Sequence, residues 1–218
     1  MPGAARTTAL PDQLTYYFDP GCPWTWATTL WLDHVAERRA IPIRWRTFSV
    51  ALLHEDPPEG EPQDPKLVAV RQALRLLASL AAAGEEALVR AVYLEFGRRF
   101  HVEREQSGVE LVESAAKTAG AGDHREAVDD ERWDEQVATS TREALDLVGD
   151  DVGSPIIAMD EPAVGLFGPI LSPAPSGTEA DDLLDLVVAA ARTPALFELK
   201  RGRTTRPAKR LGAPEAPA

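Results

Sequence analysis

The run Leu14-Thr15-Tyr16-Tyr17-Phe18 is β-branched and aromatic and stops at Asp19-Pro20-Gly21, so it reads as a buried strand ended by a turn. Cys22-Pro23 follows at once. From Pro23 to Arg39 the apolar residues Trp24, Ala27, Leu30, Trp31 and Val35 recur at near-helical spacing, and a proline at the first helical position gives up no hydrogen bond. A helix therefore opens at the cysteine. Ile41 to Val50 then alternates, with Ile43, Trp45, Thr47 and Ser49 on one side and Arg44, Arg46, Phe48 and Val50 on the other, which predicts a second strand. The N-terminal piece is β-α-β.

Asp56-Pro57-Pro58 and Glu61-Pro62 make His54 to Pro65 a loop. Lys66 to Leu147, rich in Ala, Leu, Glu and Arg, reads as three to five helices with gaps at Gly84, Gly108 and Gly120 to Asp123. Beyond Gly149, the short runs Ile156 to Met159 and Ala163 to Phe167 flank Asp160-Glu161-Pro162 and predict a hairpin. Thr178 to Arg192 is a helix with Glu179, Asp181 and Asp182 in its first turn, where they suit the helix dipole. The Lys/Arg/Pro-rich stretch from Lys200 is expected to fray. The order is that of an α/β chain with a thioredoxin fold (β-α-β … β-β-α) interrupted by an all-helical insertion. Residues 12–53 and 150–203 would form the discontinuous thioredoxin-fold domain, 64–149 the helical insertion and 204–218 a disordered basic tail.

Cys22 is the single cysteine, which excludes a disulfide within the chain and any cysteine-based zinc cluster. It is either an inert buried thiol or a reactive one, and a helix N-terminus favours the reactive thiolate. Thr25, one turn along the helix, is placed to donate a hydrogen bond to the sulfur. With no second cysteine, a mixed disulfide on Cys22 needs an external thiol to release it, so a small-molecule thiol is the implied partner. Ser154-Pro155, directly before a strand, suits a cis peptide that presents backbone to a bound thiol or peptide. Trp24 and Trp26 straddle Thr25; one is expected in the core and one beside the sulfur as an apolar wall, while Trp31, Trp45 and Trp133 read as core.

A formal charge of −12 disfavours nucleic acid and anionic membrane surfaces. No apolar run has the length of a secretory signal or membrane span, which predicts a cytoplasmic protein. His34 and His124 lack partners at metal-ligand spacing, Gly120 to Asp123 lacks the context of a phosphate loop, and no flavin or nicotinamide fingerprint appears.

The segments Phe18-Asp19-Pro20-Gly21-Cys22-Pro23-Trp24-Thr25-Trp26, Ser49-Val50-Ala51-Leu52-Leu53, Arg99-Phe100-His101, Asp151-Val152-Gly153-Ser154-Pro155, Leu166-Phe167-Gly168-Pro169-Ile170-Leu171-Ser172 and Phe197-Glu198-Leu199-Lys200-Arg201 together resemble the DsbA-like actinobacterial proteins typified by mycothiol-dependent nitroreductase. The likeness runs in register from Leu14 to Arg203. It implies a thioredoxin-fold enzyme that uses mycothiol to reduce disulfides or small hydrophobic electrophiles such as nitro compounds. It also implies Cys22 as nucleophile, Pro23 and Trp24 as the intervening dipeptide, Pro155 as the cis-proline and His101 as a polar residue near the cleft, where an imidazole can pass protons or stabilise the thiolate. Thr25 stands where the typical enzyme has a second cysteine, and His54 where an Asn lines the cleft. Catalytic roles are therefore expected for Cys22, Thr25 and His101, and thiol or substrate binding for Pro23, Trp24, His54, Ser154 and Pro155. Two rival readings stay open: a thiol-dependent isomerase of the 2-hydroxychromene-2-carboxylate type, and a non-catalytic DsbA-like binding module. A homodimer is also left open.

Overall fold

The computed structural model describes residues 9–54, 64–105, 108–160 and 163–211. Most of the Pro-rich loop, the turn residues Glu161 and Pro162 and the end of the expected tail at 212–218 lie outside them. Four strands, β1 (Leu14–Phe18), β2 (Ile43–Thr47), β3 (Ile156–Asp160) and β4 (Ala163–Phe167), form one sheet in the order β2-β1-β3-β4. β1 pairs parallel with β2 and antiparallel with β3, and β3 pairs antiparallel with β4. All five β1 residues are buried, as a central strand covered on both faces requires.

Helix α1 (Pro23–Arg39) has Pro23 in its first turn and ends at Ala40, whose positive φ of 53° closes it by donating to the carbonyls of Ala36 and Glu37. Arg38 and Arg39 in its last turn suit the dipole and also reach Asp181 and Asp185 of α6 (Gly177–Ala191). Between β2 and β3 run α2 (Pro65–Ala82), α3 (Glu86–Gly97), α4 (Gly108–Thr118) and α5 (Arg132–Val148), with a π turn at Arg98–Glu103 and a 3-10 turn at Gly122–Val128. The sheet thus comes from the two ends of the described chain, in the thioredoxin order, with helices between.

One sheet face builds the main core. Tyr16, Phe18 and Trp45 pack with Tyr93 of α3, whose ring stacks on Phe18 at 3.9 Å. The other face offers Tyr17, Ile156 and Ala158 to Ala144 of α5. Gly165 permits that helix to approach β4, since a β-carbon there would stand 2.8 Å from Leu147 Cβ.

Strand β2 is shorter than the predicted Ile41 to Val50. Phe48 donates to the Phe18 carbonyl, and the chain then coils into a 3-10 turn at Val50–Leu53. Residues 204–211, expected as part of a frayed tail, instead lie against the body. Ala208 is 1% exposed, Ala174 bridges to Leu211, Ser172 Oγ donates to the Arg206 carbonyl, and Trp26 Nε1 donates to the Lys209 carbonyl over 3.1 Å. Backbone carbonyls make two of these anchors, and composition carries no sign of them.

Candidate active site

The turn between β1 and α1 is built around Asp19. Its carboxylate accepts from the Gly21 and Val50 amides, each over 2.7 Å, and its carbonyl accepts from the Cys22 amide. Asp19 is buried, and burial pushes its carboxyl upward against the pull of the Val50, Gly21 and Cys22 amides. On the insert side Gly21 lies against α2: a β-carbon there would stand 2.6 Å from Val70 Cγ2. The turn is therefore clamped between the 3-10 turn and the helical insert.

Cys22 caps α1 in extended conformation, with no side-chain capping hydrogen bond, and is a free, partly exposed thiol. Thr25, fully buried one turn on, does not address the sulfur as expected: its Oγ1 lies 2.7 Å from Ser154 Oγ. That bond ties the first turn of α1 to the Ser154-Pro155 cis peptide, and the Pro155 carbonyl accepts in turn from Gly168. The two hydroxyls carry two protons, of which their mutual bond uses one.

Deeper lies a buried hydroxyl chain. Tyr16 and Thr29 both donate to the Thr25 carbonyl, over 3.1 and 2.8 Å, and Tyr93 Oη sits 2.9 Å from Thr29 Oγ1. Burial raises both phenols, and the nearby Cys22 sulfur adds to the rise in each, so both stay protonated at any physiological pH.

His101 is carried inward by the π turn. Its ring stacks on Trp26 at 5.6 Å, and Nε2 lies 2.9 Å from the Pro20 carbonyl. Burial lowers its pKa to about 4, so at neutral pH the imidazole is uncharged and Nε2–H donates to Pro20. It offers no cation to a thiolate; it holds the turn. The native state protonates less readily than the unfolded chain, so the stability tied to the neutral ring is complete above pH 6.5 and is lost as pH falls toward 4. That loss is on the order of 2–3 kcal/mol. Asp19, with its raised value, has the opposite sign: its contribution is present in acid and is lost as pH rises through that value. Denaturant unfolding of the wild type and His101→Gln at about pH 7.5 and about pH 4.5 isolates the imidazole, and the wild type is expected to lose more. Equal losses would contradict a neutral buried ring.

Of the remaining expected residues, Pro23 is exposed at the helix start and Trp24 is partly exposed, while Trp26 is buried in the core. The guanidinium of Arg203 lies 4.8 Å over the Trp24 ring. His54 is exposed at the end of the 3-10 turn, and its imidazole makes no hydrogen bond or ion pair among the described residues. The structure thus ties Thr25 of the first turn of α1 to Ser154 and the cis-Pro155, and ties His101 to the turn that precedes Cys22, while His54 is exposed. Asp19 and Arg203 were not singled out by the sequence. Asp-Pro-Gly marks only a turn there, and the amide partner at Val50 is 31 residues away. Among the described residues no three His, Cys, Asp or Glu side chains gather into a metal-binding group, and no helix is long and apolar enough to cross a membrane.

The arrangement has known relatives. The model of the Rv2466c-like family, described as mycothiol-dependent nitroreductase Rv2466c, matches residues 21–201. The chain is 26% identical over 198 residues to Rv2286c of Mycobacterium tuberculosis, covering 87% of this chain and 81% of that protein. Among solved structures it is similar to the probable DsbA oxidoreductase SCO1869 of Streptomyces coelicolor (TM-score 0.54, 19% identity, 89% of this chain and 95% of that one). It is also similar to the cytosolic disulfide reductase DsbM of Pseudomonas aeruginosa with GSH (TM-score 0.52, 18% identity, 83% and 99%). These structures share the fold. A family match over most of the chain, from the turn residue before Cys22 through residue 201, means that the chain belongs to the Rv2466c-like family and is a thiol-dependent oxidoreductase of DsbA-like fold.

Proposed function

We propose that the protein is a cytoplasmic monothiol oxidoreductase that works with a low-molecular-weight thiol, mycothiol, through a mixed disulfide on Cys22. The observation that carries this is Thr25: the position one turn beyond the nucleophile holds a buried hydroxyl bonded to Ser154 rather than a second sulfur. The family's thiol and the cytosolic DsbM with its small thiol GSH support the same reading.

In the reductive direction the Cys22 thiolate attacks one sulfur of a substrate disulfide, forming the mixed disulfide and expelling the other sulfur as thiolate. Mycothiol thiolate then attacks the substrate sulfur of that bond, returning Cys22 and carrying the substrate away as a mycothiol mixed disulfide. A second mycothiol frees the substrate thiol and leaves mycothiol disulfide. Nitro compounds would draw electrons from the same thiol pool. Pro23 and Trp24, which follow Cys22 in the first turn of α1 and are exposed and partly exposed, would give an apolar substrate a surface.

Intact mass after incubation with mycothiol disulfide tests the reading. One mycothiol adduct is expected, mapping to Cys22. In Thr25→Cys the adduct is expected to give way to an internal disulfide, because the neighbouring thiol resolves it in place. No adduct on the wild type, or an adduct that persists unchanged in Thr25→Cys, would overturn the monothiol cycle.

A further inference from the structure

The stretch after α6 concentrates positive charge, and one of its arginines lies over Trp24, two residues beyond Cys22 in the chain. Residues 193–211 carry Lys200, Arg201, Arg203, Arg206, Lys209 and Arg210 against a single acid, Glu198, in a chain whose formal charge is −12. Several arginines of the helices are engaged with carboxylates, as in Arg38–Asp181, Arg75–Asp134 and Arg90–Asp33. Among the described residues Arg201, Arg203 and Arg210 have no such partner.

The segment is held in place by the anchors at Arg206, Ala208, Lys209 and Leu211, and Thr205 Oγ1 adds a hydrogen bond to the Ser172 carbonyl. Arg203 is consequently presented at a defined place, over the ring of Trp24, in the first turn of the helix that Cys22 caps. A cation held over an aromatic ring keeps its charge, and the N–H groups of a guanidinium are the fork that grips carboxylate and phosphate oxygens in pairs. The N-terminus of α1 favours negative charge at the same place.

We propose that Arg203, seated on Trp24, is a specificity-determining residue of an anion subsite beside Cys22, selecting disulfides and electrophiles that carry a carboxylate or another oxyanion. The proposal rests on the monothiol reading above. In the step it governs, the Cys22 thiolate forms a bond to one sulfur of the incoming disulfide while the S–S bond breaks and the other sulfur leaves as thiolate. Arg203 holds the anion of the incoming molecule and takes no part in the bond changes.

The test compares two disulfides whose leaving thiols absorb light, the dianionic dithio-bis-nitrobenzoate and the uncharged dithiodipyridine, in stopped flow with the single thiol. Arg203→Gln is expected to slow the dianion by roughly threefold to tenfold and to leave the uncharged reagent within about twofold, with Arg203→Lys between. Raising salt from about 0.02 M to about 0.5 M is expected to narrow the gap between the wild type and Arg203→Gln toward the dianion and to leave their ratio toward the uncharged reagent unchanged. Equal effects on both reagents, or none on either, would overturn the subsite while leaving the monothiol reading in place. Failure of Cys22 to react with either reagent would overturn both.

Discussion

Cys22→Ser is expected to lower thiol-dependent turnover of any disulfide or electrophile by at least about 10³-fold, because the hydroxyl cannot form the mixed disulfide on which the cycle depends. The fold should survive and even gain slightly. The sulfur makes no capping hydrogen bond at the start of α1 and is partly exposed. Serine is a favoured N-cap, and an oxygen accepting from a first-turn amide would add roughly 0.5–1 kcal/mol. Turnover and thermal unfolding measured on the same preparation separate the two effects. Lost activity at unchanged or higher melting temperature is the expected pair, whereas a large fall in melting temperature would show that the cysteine holds the structure together.

Gly97→Ala is expected to be the most damaging conservative change away from the sulfur. Gly97 ends α3 against Trp26, and a β-carbon there would overlap Cζ3 and Cε3 of the indole. The ring cannot yield cheaply. It is 4% exposed, sits edge-on to Tyr93, stacks on His101 and donates to the Lys209 carbonyl. Overpacking at such a place costs about 3 kcal/mol, and for a chain of this size that is roughly 6–12 °C in melting temperature. Displacing Trp26 also disturbs the histidine that holds Pro20 and the backbone anchor of the segment bearing Arg203. Gly108→Ala is the control: among the described residues no heavy atom beyond its chain neighbours and its own helix backbone lies within 4 Å of a β-carbon there, and it begins a helix, so its melting temperature should match or exceed the wild type. Equal behaviour of the two variants would mean that the close approach at Trp26 is not needed.

Much of this was legible in the residues because the signals were local. Pro23 and the apolar spacing after it mark α1 at its observed bounds, and the β-rich run ending in Asp-Pro-Gly marks β1, since each depends on neighbours a few positions away. Ser154-Pro155 was readable as a cis candidate only through the fold that puts it beside a cysteine. The rest depends on distant partners. A histidine following Arg98 and Arg99 looks solvated in sequence, but a π turn, which has no compositional mark, rotates it under Trp26. Thr25 is near Cys22 in sequence, yet its hydroxyl answers to a serine on the far side of the helical insert. The segment at 204–211 reads as a tail by its prolines and cations, and two of the anchors that seat it are hydrogen bonds to its main chain, in which composition has no part.

The distance between the halves of the site also has a temporal meaning. Thr25 and Ser154 are 129 residues apart, so a ribosome adding roughly 5–20 residues per second makes the helix of the nucleophile on the order of 10 s before the residues that complete its surroundings. During that interval β1 has β2 available as a partner, but β3 has not been made. A newly made chain thus passes through a stage in which its sulfur has been synthesised and the serine that fixes the first turn of its helix has not, and a small thiol or disulfide that reaches the nucleophile then meets it before the fold is complete.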